Sequence, residues 1–178
     1  MVPEASMEQR AGGLKPAGDG WFVVNAREAE WIHNEKFGAG VTFEGTPEFA
    51  QLGININVVW PGQPNGYYHA EQDQENFLIL SGECLLLIEG EERRLRAWDF
   101  VHCAPGTEHI FVGAGSGPCA FLAVGARNTP DGIVYPVSDL ALRHGAGVTE
   151  STTKSDEAYA GTPTTSAGPY AGGLPAFQ

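Results

Sequence analysis

The chain has 178 residues, enough for one domain that buries a full hydrophobic core without disulfide support. Its formal net charge is −12, and the longest basic cluster, Arg93-Arg94, sits among Glu89, Glu91 and Glu92, so the basic patch that nucleic acid or an anionic membrane surface requires is absent. Cys84, Cys103 and Cys119 lie at wide spacings with no CxxC pair, which indicates reduced buried thiols and a cytoplasmic chain; residues 1–13 lack a secretory apolar run, and no segment approaches the ~20 apolar residues of a membrane span.

Residues 1–18 are polar and rich in Gly and Pro, and read as an arm that orders only on docking to a partner surface. Trp21-Phe22-Val23-Val24 is expected as a first strand, and Ala26 to His33 as one or two helical turns. From Val41 to Gly125 the signals are those of strands. Ile54, Ile56 and Val58 alternate with Asn55, Asn57 and Val59, a period of two. Phe77 to Leu80 and Cys84 to Ile88 are apolar runs of strand length, separated by a tight Ser81-Gly82 turn. Glu89-Gly90-Glu91 is a second hairpin turn, leading into Arg93 to Arg96. Phe100 to Cys103, Ile110 to Val112 and Cys119 to Val124 follow, with Trp98 expected to cap a barrel edge. Short strands at near-regular spacing predict an antiparallel sandwich or small barrel. Ile133 to Val137 reads as a strand along that barrel. The tail, residues 146–178, is rich in Gly, Pro, Ser and Thr and buries too little apolar surface to order itself, with Tyr170 and Phe177 as anchors to another surface.

The chemistry-bearing residues fall in two stretches. His69 and Glu71 are two apart, which places them on one face of a strand. Glu75 opens the next strand and shares a face with Phe77 and Ile79, where an unpaired carboxylate is costly and needs a cation or a donor network. His109 follows the Pro105-Gly106 turn and shares a face with Phe111. Trp60, Tyr68, Phe77, His102 and Phe111 are candidate pocket residues around these four.

These stretches resemble the two motifs of the cupin superfamily, over roughly residues 55–125. The first motif is matched by His69, Glu71, Glu75 and Gly82, and the second by Pro105, Gly106 and His109. Three family positions differ: Glu71 stands where the family has its second histidine, Trp98 where it has glycine, and Ala104 where it has proline. The resemblance implies an all-β, double-stranded β-helix, a jelly-roll-like small barrel at residues 19–145 with extended N- and C-terminal arms. It implies one divalent metal ion (Mn, Fe, Ni or Zn) held by His69, Glu71, Glu75 and His109. Two carboxylates would bring a divalent site to zero charge and favour harder ions; alternatively Glu71 does not ligate, leaving three ligands and open positions. A metal-free pocket is a further alternative.

For activity, the resemblance implies a small-molecule ligand and a metal-dependent dioxygenase or a sugar or sugar-phosphate isomerase, with Glu71 or Glu75 as base. The alternative is a non-catalytic cupin that binds or senses a small ligand. Open sheet edges need cover, and arm exchange within a homodimer would supply it.

Overall fold

A computed structural model of the chain describes residues 1–176. A hairpin of β1 (Ser6–Arg10) and β2 (Gly13–Ala17) comes first. Strands β3 (Trp31–Asn34), β4 (Gly38–Val41) and β5 (Leu52–Val59) follow, then the short β6 (Ala70–Glu71) and β7 (Glu75–Ser81). The run continues through β8 (Glu83–Ile88), β9 (Glu91–Arg96), β10 (Phe100–Cys103), β11 (His109–Ala114) and β12 (Cys119–Ala126). Last come β13 (Ile133–Val134), the short helices α1 (Asp139–Arg143) and α2 (Ser155–Ala158), and β14 (Ser166–Gly168).

One sheet has the order β10-β7-β12-β5-β4-β3-β14 and a second the order β11-β8-β9, while β6 pairs with β13. Every pairing between these strands is antiparallel. The all-β barrel expected from the sequence is therefore present.

Period-two alternation fills the space between the sheets. Phe77 and Ile79 of β7, Val101 and Cys103 of β10, and Phe121 and Ala123 of β12 point inward from the large sheet. Cys84, Leu86 and Phe111 meet them from the small one. Phe111 stacks on Phe121 and packs on Phe77, each with ring centroids 4.7 Å apart. The β8–β9 hairpin closes through Glu89 and Gly90, both at positive φ, the two-residue turn whose twist matches the strands it joins. The outer face of the small sheet is covered by Leu140, Ala141 and Ala146.

Several local expectations give way to tertiary packing. Residues 21–24 form no strand, only an isolated bridge at Trp21, and Val23 is 83% exposed because nothing packs over it. Residues 26–33 form a turn, held by Asn25 Oδ1 accepting from Arg27 N at 2.9 Å, and then β3. Trp31 is fully buried there, and that burial outweighs a weak, short helical tendency. The strand expected over 133–137 is confined to Ile133–Val134.

Both arms dock on their own chain. Leu14 N donates to Glu28 O at 2.7 Å, and Glu30 N donates to Leu14 O at 3.0 Å. In the tail, β14 pairs with β3, and Tyr170 packs on Trp31 with centroids 5.3 Å apart. The tail orders because it borrows apolar surface from the barrel that it could not supply itself. Phe177, the other expected anchor, lies outside the described residues.

β11 is clamped to the loop after β5. Gly62 N donates to Gly113 O at 2.8 Å and Gly113 N to Gln63 O at 2.9 Å. A Cβ on Gly113 would stand 2.0 Å from the Trp60 carbonyl oxygen, whereas one on Gly117 would meet nothing within 4 Å. Gly113→Ala should therefore cost about 1–3 kcal/mol as overpacking, and Gly117→Ala less than about 0.5 kcal/mol, measured by denaturant unfolding. Equal costs would refute the clamp.

Candidate metal centre

His69 and His109 are brought together by backbone pairing. His109 N donates to His69 O at 2.8 Å and His69 N to His109 O at 3.2 Å, so the two residues sit directly opposite with side chains on one face. Their ring centroids are 4.9 Å apart. Glu75 reaches them from the start of β7, with its Oε2 3.3 Å from His109 Nε2. One ligand atom from each of His69, Glu75 and His109 lies within 4.8 Å of the others.

The histidine tautomers are set by the backbone. His69 Nδ1 lies 2.7 Å from Tyr67 O, and His109 Nδ1 lies 3.0 Å from Thr107 O. A carbonyl oxygen only accepts, so both Nδ1 atoms carry the proton and both Nε2 lone pairs are free to act as ligands. Burial pushes both imidazoles below their usual range, His109 to about 4, with His69 adding to the effect on His109. Burial and then the Glu71 charge push Glu75 up to about 8. At neutral pH and without an ion, Glu75 therefore largely keeps its carboxyl proton beside a neutral His109, and their 3.3 Å contact joins uncharged groups rather than an ion pair. Replacing that one proton by a cation leaves two imidazole nitrogens and one carboxylate as a donor set. This set fits a divalent ion.

Glu71 is not part of this cluster. The shared-face expectation needs one regular strand through residues 69 to 71, and the chain does not supply it. His69 bridges to β11, whereas Ala70 and Glu71 pair with β13. Glu71 lines a separate outer cavity of about 400 Å³ with Gln72, Asp73, Arg127 and Thr129. Burial, then the Asp73 charge, raises its pKa.

The inner cavity beside the triad has a volume of about 160 Å³. Phe77, Ile110 and Phe111 line its apolar side. Three other candidate pocket residues lie elsewhere. His102 alternates with the inward Val101 and Cys103, so it faces out, its Nδ1 2.9 Å from Asn76 Oδ1. Tyr68 is buried against the outer face of the small sheet, where its hydroxyl accepts from Gly90 N at 3.3 Å. Trp60 follows the outward Val58 in phase and is 36% exposed.

Asn55, Asn57 and Asn65 supply the polar side of the cavity. They were not among the sequence-derived candidates. Asn57 Nδ2 donates to Asn55 Oδ1 at 2.5 Å, and Asn65 Oδ1 accepts from Phe111 N at 3.1 Å. The sequence carried the signal: Asn55, Asn57 and Val59 share a face, and Val59 belongs to the core. A polar pair in phase with a core valine marks the interior of the barrel.

No curated protein significantly matches the sequence. A candidate sugar phosphate isomerase from Acidithiobacillus ferrooxidans is 26% identical over 47% of this chain and 54% of its own, with a TM-score of 0.43. The chain thus spans about half of that protein's length. A cupin protein from Bacteroides fragilis is 26% identical over 46% of this chain and 70% of its own, TM-score 0.42. A polyketide cyclase from Streptomyces resistomycificus is 15% identical over 71% and 76%, TM-score 0.47. Likeness at this level carries no information about substrate. The family model described as the Cupin domain matches residues 56–125, the segment that contains all three members of the triad. The motif-bearing barrel segment at residues 56–125 is thus the part of the chain that matches a cupin domain.

Proposed function

We propose that His69, Glu75 and His109 hold one divalent metal ion and that the protein is a metal-dependent enzyme acting on a compact, oxygen-rich small molecule. The observation that carries this reading is the pair of Nδ1 atoms tied to backbone carbonyls, which leaves two buried Nε2 lone pairs facing one carboxyl group. Two histidines and one carboxylate with open positions form the donor set of non-haem iron centres, which favours Fe²⁺ and a dioxygenase over the other ions and activities the resemblance implies. When bound, such an ion supplies Lewis-acid polarisation and a place for a second reactant. The cavity of about 160 Å³ is below the ~300–1,000 Å³ of pockets for drug-sized ligands, which disfavours a sugar phosphate and favours a smaller substrate.

The chain's own groups divide the remaining work. Glu75 gives up its proton as it becomes a ligand. With a single carboxylate ligand, a divalent site keeps a charge of +1 and attracts an anionic substrate. The Asn55, Asn57 and Asn65 amides orient that substrate, while Phe77 and Phe111 exclude water from it. Glu71, raised in pKa by burial and then by the Asp73 charge, lines the separate outer cavity and takes no part in holding this substrate. The three free, buried cysteines support placement in the reducing cytoplasm.

Metal analysis and calorimetric titration of the purified protein test the ligand set. His109→Ala and Glu75→Gln should each weaken metal binding by more than roughly 100-fold, since even supporting partners of ligands are worth 10–100-fold. Glu71→Gln should leave it within about 10-fold, and a loss matching that of Glu75→Gln would restore Glu71 as a ligand.

Stability against pH gives a second test. The Glu75 pKa is raised, so its contribution is whole below about 4.5 and is lost as pH rises through about 8. The His109 pKa is depressed, so its contribution is whole above about 6.5 and is lost as pH falls through about 4. Between about pH 4.5 and 6.5 the two dependences cancel, so these groups hold the metal-free protein on a stability plateau there. Thermal unfolding should show a decline toward pH 8 that a saturating divalent metal removes, because the ion binds the deprotonated carboxylate. An alkaline decline unchanged by metal, or absent without it, would contradict the assignment.

A further inference from the structure

The two histidines of the triad draw their support from different parts of the chain. His109 Nδ1 is held by Thr107 O, and Thr107 N donates to Ala104 O at 3.0 Å, so that support lies within the turn between β10 and β11. His69 Nδ1 is held by Tyr67 O, and the backbone around that carbonyl is anchored from far along the chain. Tyr68 N, in the same peptide unit as the carbonyl, donates to Ala146 O at 2.7 Å. Tyr67 N donates to the Tyr159 hydroxyl at 3.1 Å. Residues 66–68 belong to no strand, so these two bonds take the place of a sheet ladder.

Tyr159 is held firmly where it does this. It closes α2, its N donating to Ser155 O at 2.9 Å. Its ring is wedged between Phe37, Tyr67 and Tyr135, with centroids 5.3, 5.0 and 5.8 Å away. Tyr135 extends the contact to the triad: its ring lies 6.0 Å from that of His69, and its hydroxyl is 3.0 Å from Ser155 Oγ. The chain passes close beneath the Tyr159 hydroxyl at Gly66, where a Cβ would stand 2.9 Å from it.

We propose that Tyr159 is a positioning residue for the metal centre, holding the Tyr67 backbone so that its carbonyl keeps the His69 proton on Nδ1. The proposal rests on the reading of His69 as a ligand. Tyr159 does not line the inner cavity and acts only through Tyr67. Without the hydroxyl, Tyr67 N becomes a buried donor with no acceptor, and the backbone turns to satisfy it. The Tyr67 carbonyl then leaves His69, whose ring is free to carry its proton on Nε2 and so block the ligand lone pair. Supporting partners of this kind are worth roughly 10–100-fold in metal affinity. His109, supported by its own turn, does not respond. Residues 146–159 thus govern one ligand and leave the other to the barrel.

Two measurements on the full chain test this. Heteronuclear NMR of the ring nitrogens reads each histidine tautomer in the metal-free protein, and anaerobic calorimetric titration with Fe²⁺ reads affinity. Tyr159→Phe keeps the ring packing and removes only the hydroxyl, whereas Gly66→Ala keeps the hydroxyl and displaces it. Both should move the His69 proton toward Nε2, leave His109 unchanged and weaken Fe²⁺ binding by roughly 10-fold or more, with wild-type circular dichroism. Val41→Ala opens a cavity in the separate cluster around Trp31. It should lower thermal stability yet leave both tautomers unchanged and affinity within about 2-fold. A His69 tautomer unchanged in either variant, equal shifts at His69 and His109, or an affinity loss matched by Val41→Ala would each overturn the proposal. A wild type that binds no Fe²⁺ would instead remove the ligand reading, and the His69 tautomer would still decide whether Tyr159 positions the ring.

Discussion

Two imidazoles and a carboxyl group are enclosed beside an aromatic core, and the rest of the molecule is arranged around keeping them there uncharged or cation-bound. A buried lone charge would cost several kcal/mol, so the barrel must present these groups in forms that need no water. It does so with backbone geometry. The reciprocal hydrogen bonds between His69 and His109 fix the spacing of the rings. The carbonyls of Tyr67 and Thr107 fix which nitrogen faces inward. Each of those carbonyls lies two residues before the histidine it holds. Local chain direction thus sets the tautomer.

The barrel and three of its central residues were legible in the sequence because they rest on alternation and turn chemistry. Phe77, Ile79, Phe111 and Phe121 alternate inward as their phase demands, and Gly82 and Gly90 turn where they must. Glu71 was misplaced because strand phase carries over only while a strand keeps one partner. The switch from β11 to β13 between residues 69 and 70 is a tertiary event with no local signature. Trp31 was hidden for a similar reason, since its short segment takes its conformation from β4 and from the tail. The asparagines were legible in principle: their shared phase with Val59 distinguishes a polar pocket wall from a solvent face.

The tail shows how far composition can mislead. A segment rich in Gly, Pro, Ser and Thr cannot form a core, but β14 and Tyr170 need only complete one. Asn34 Nδ2 donates to Pro163 O at 2.8 Å, so even the polar stretch is tied to the β3–β4 hairpin. Disorder inferred from a segment alone describes the isolated segment, and a neighbouring barrel with an uncovered edge changes the balance.

The alternation along β5 has a consequence for how this chain can vary. Its odd positions, Asn55, Asn57 and Val59, wall the inner cavity and join the core, while its even positions, Ile54, Ile56 and Val58, form the outer apolar layer. A single-residue insertion or deletion in this strand would exchange the two sets, sending the amides outward and filling the cavity with isoleucine. Point substitutions on either face of β5 can be absorbed separately, but a frame slip there would abolish pocket and outer layer in one step. Length changes should therefore be confined to the loops on either side of the strand.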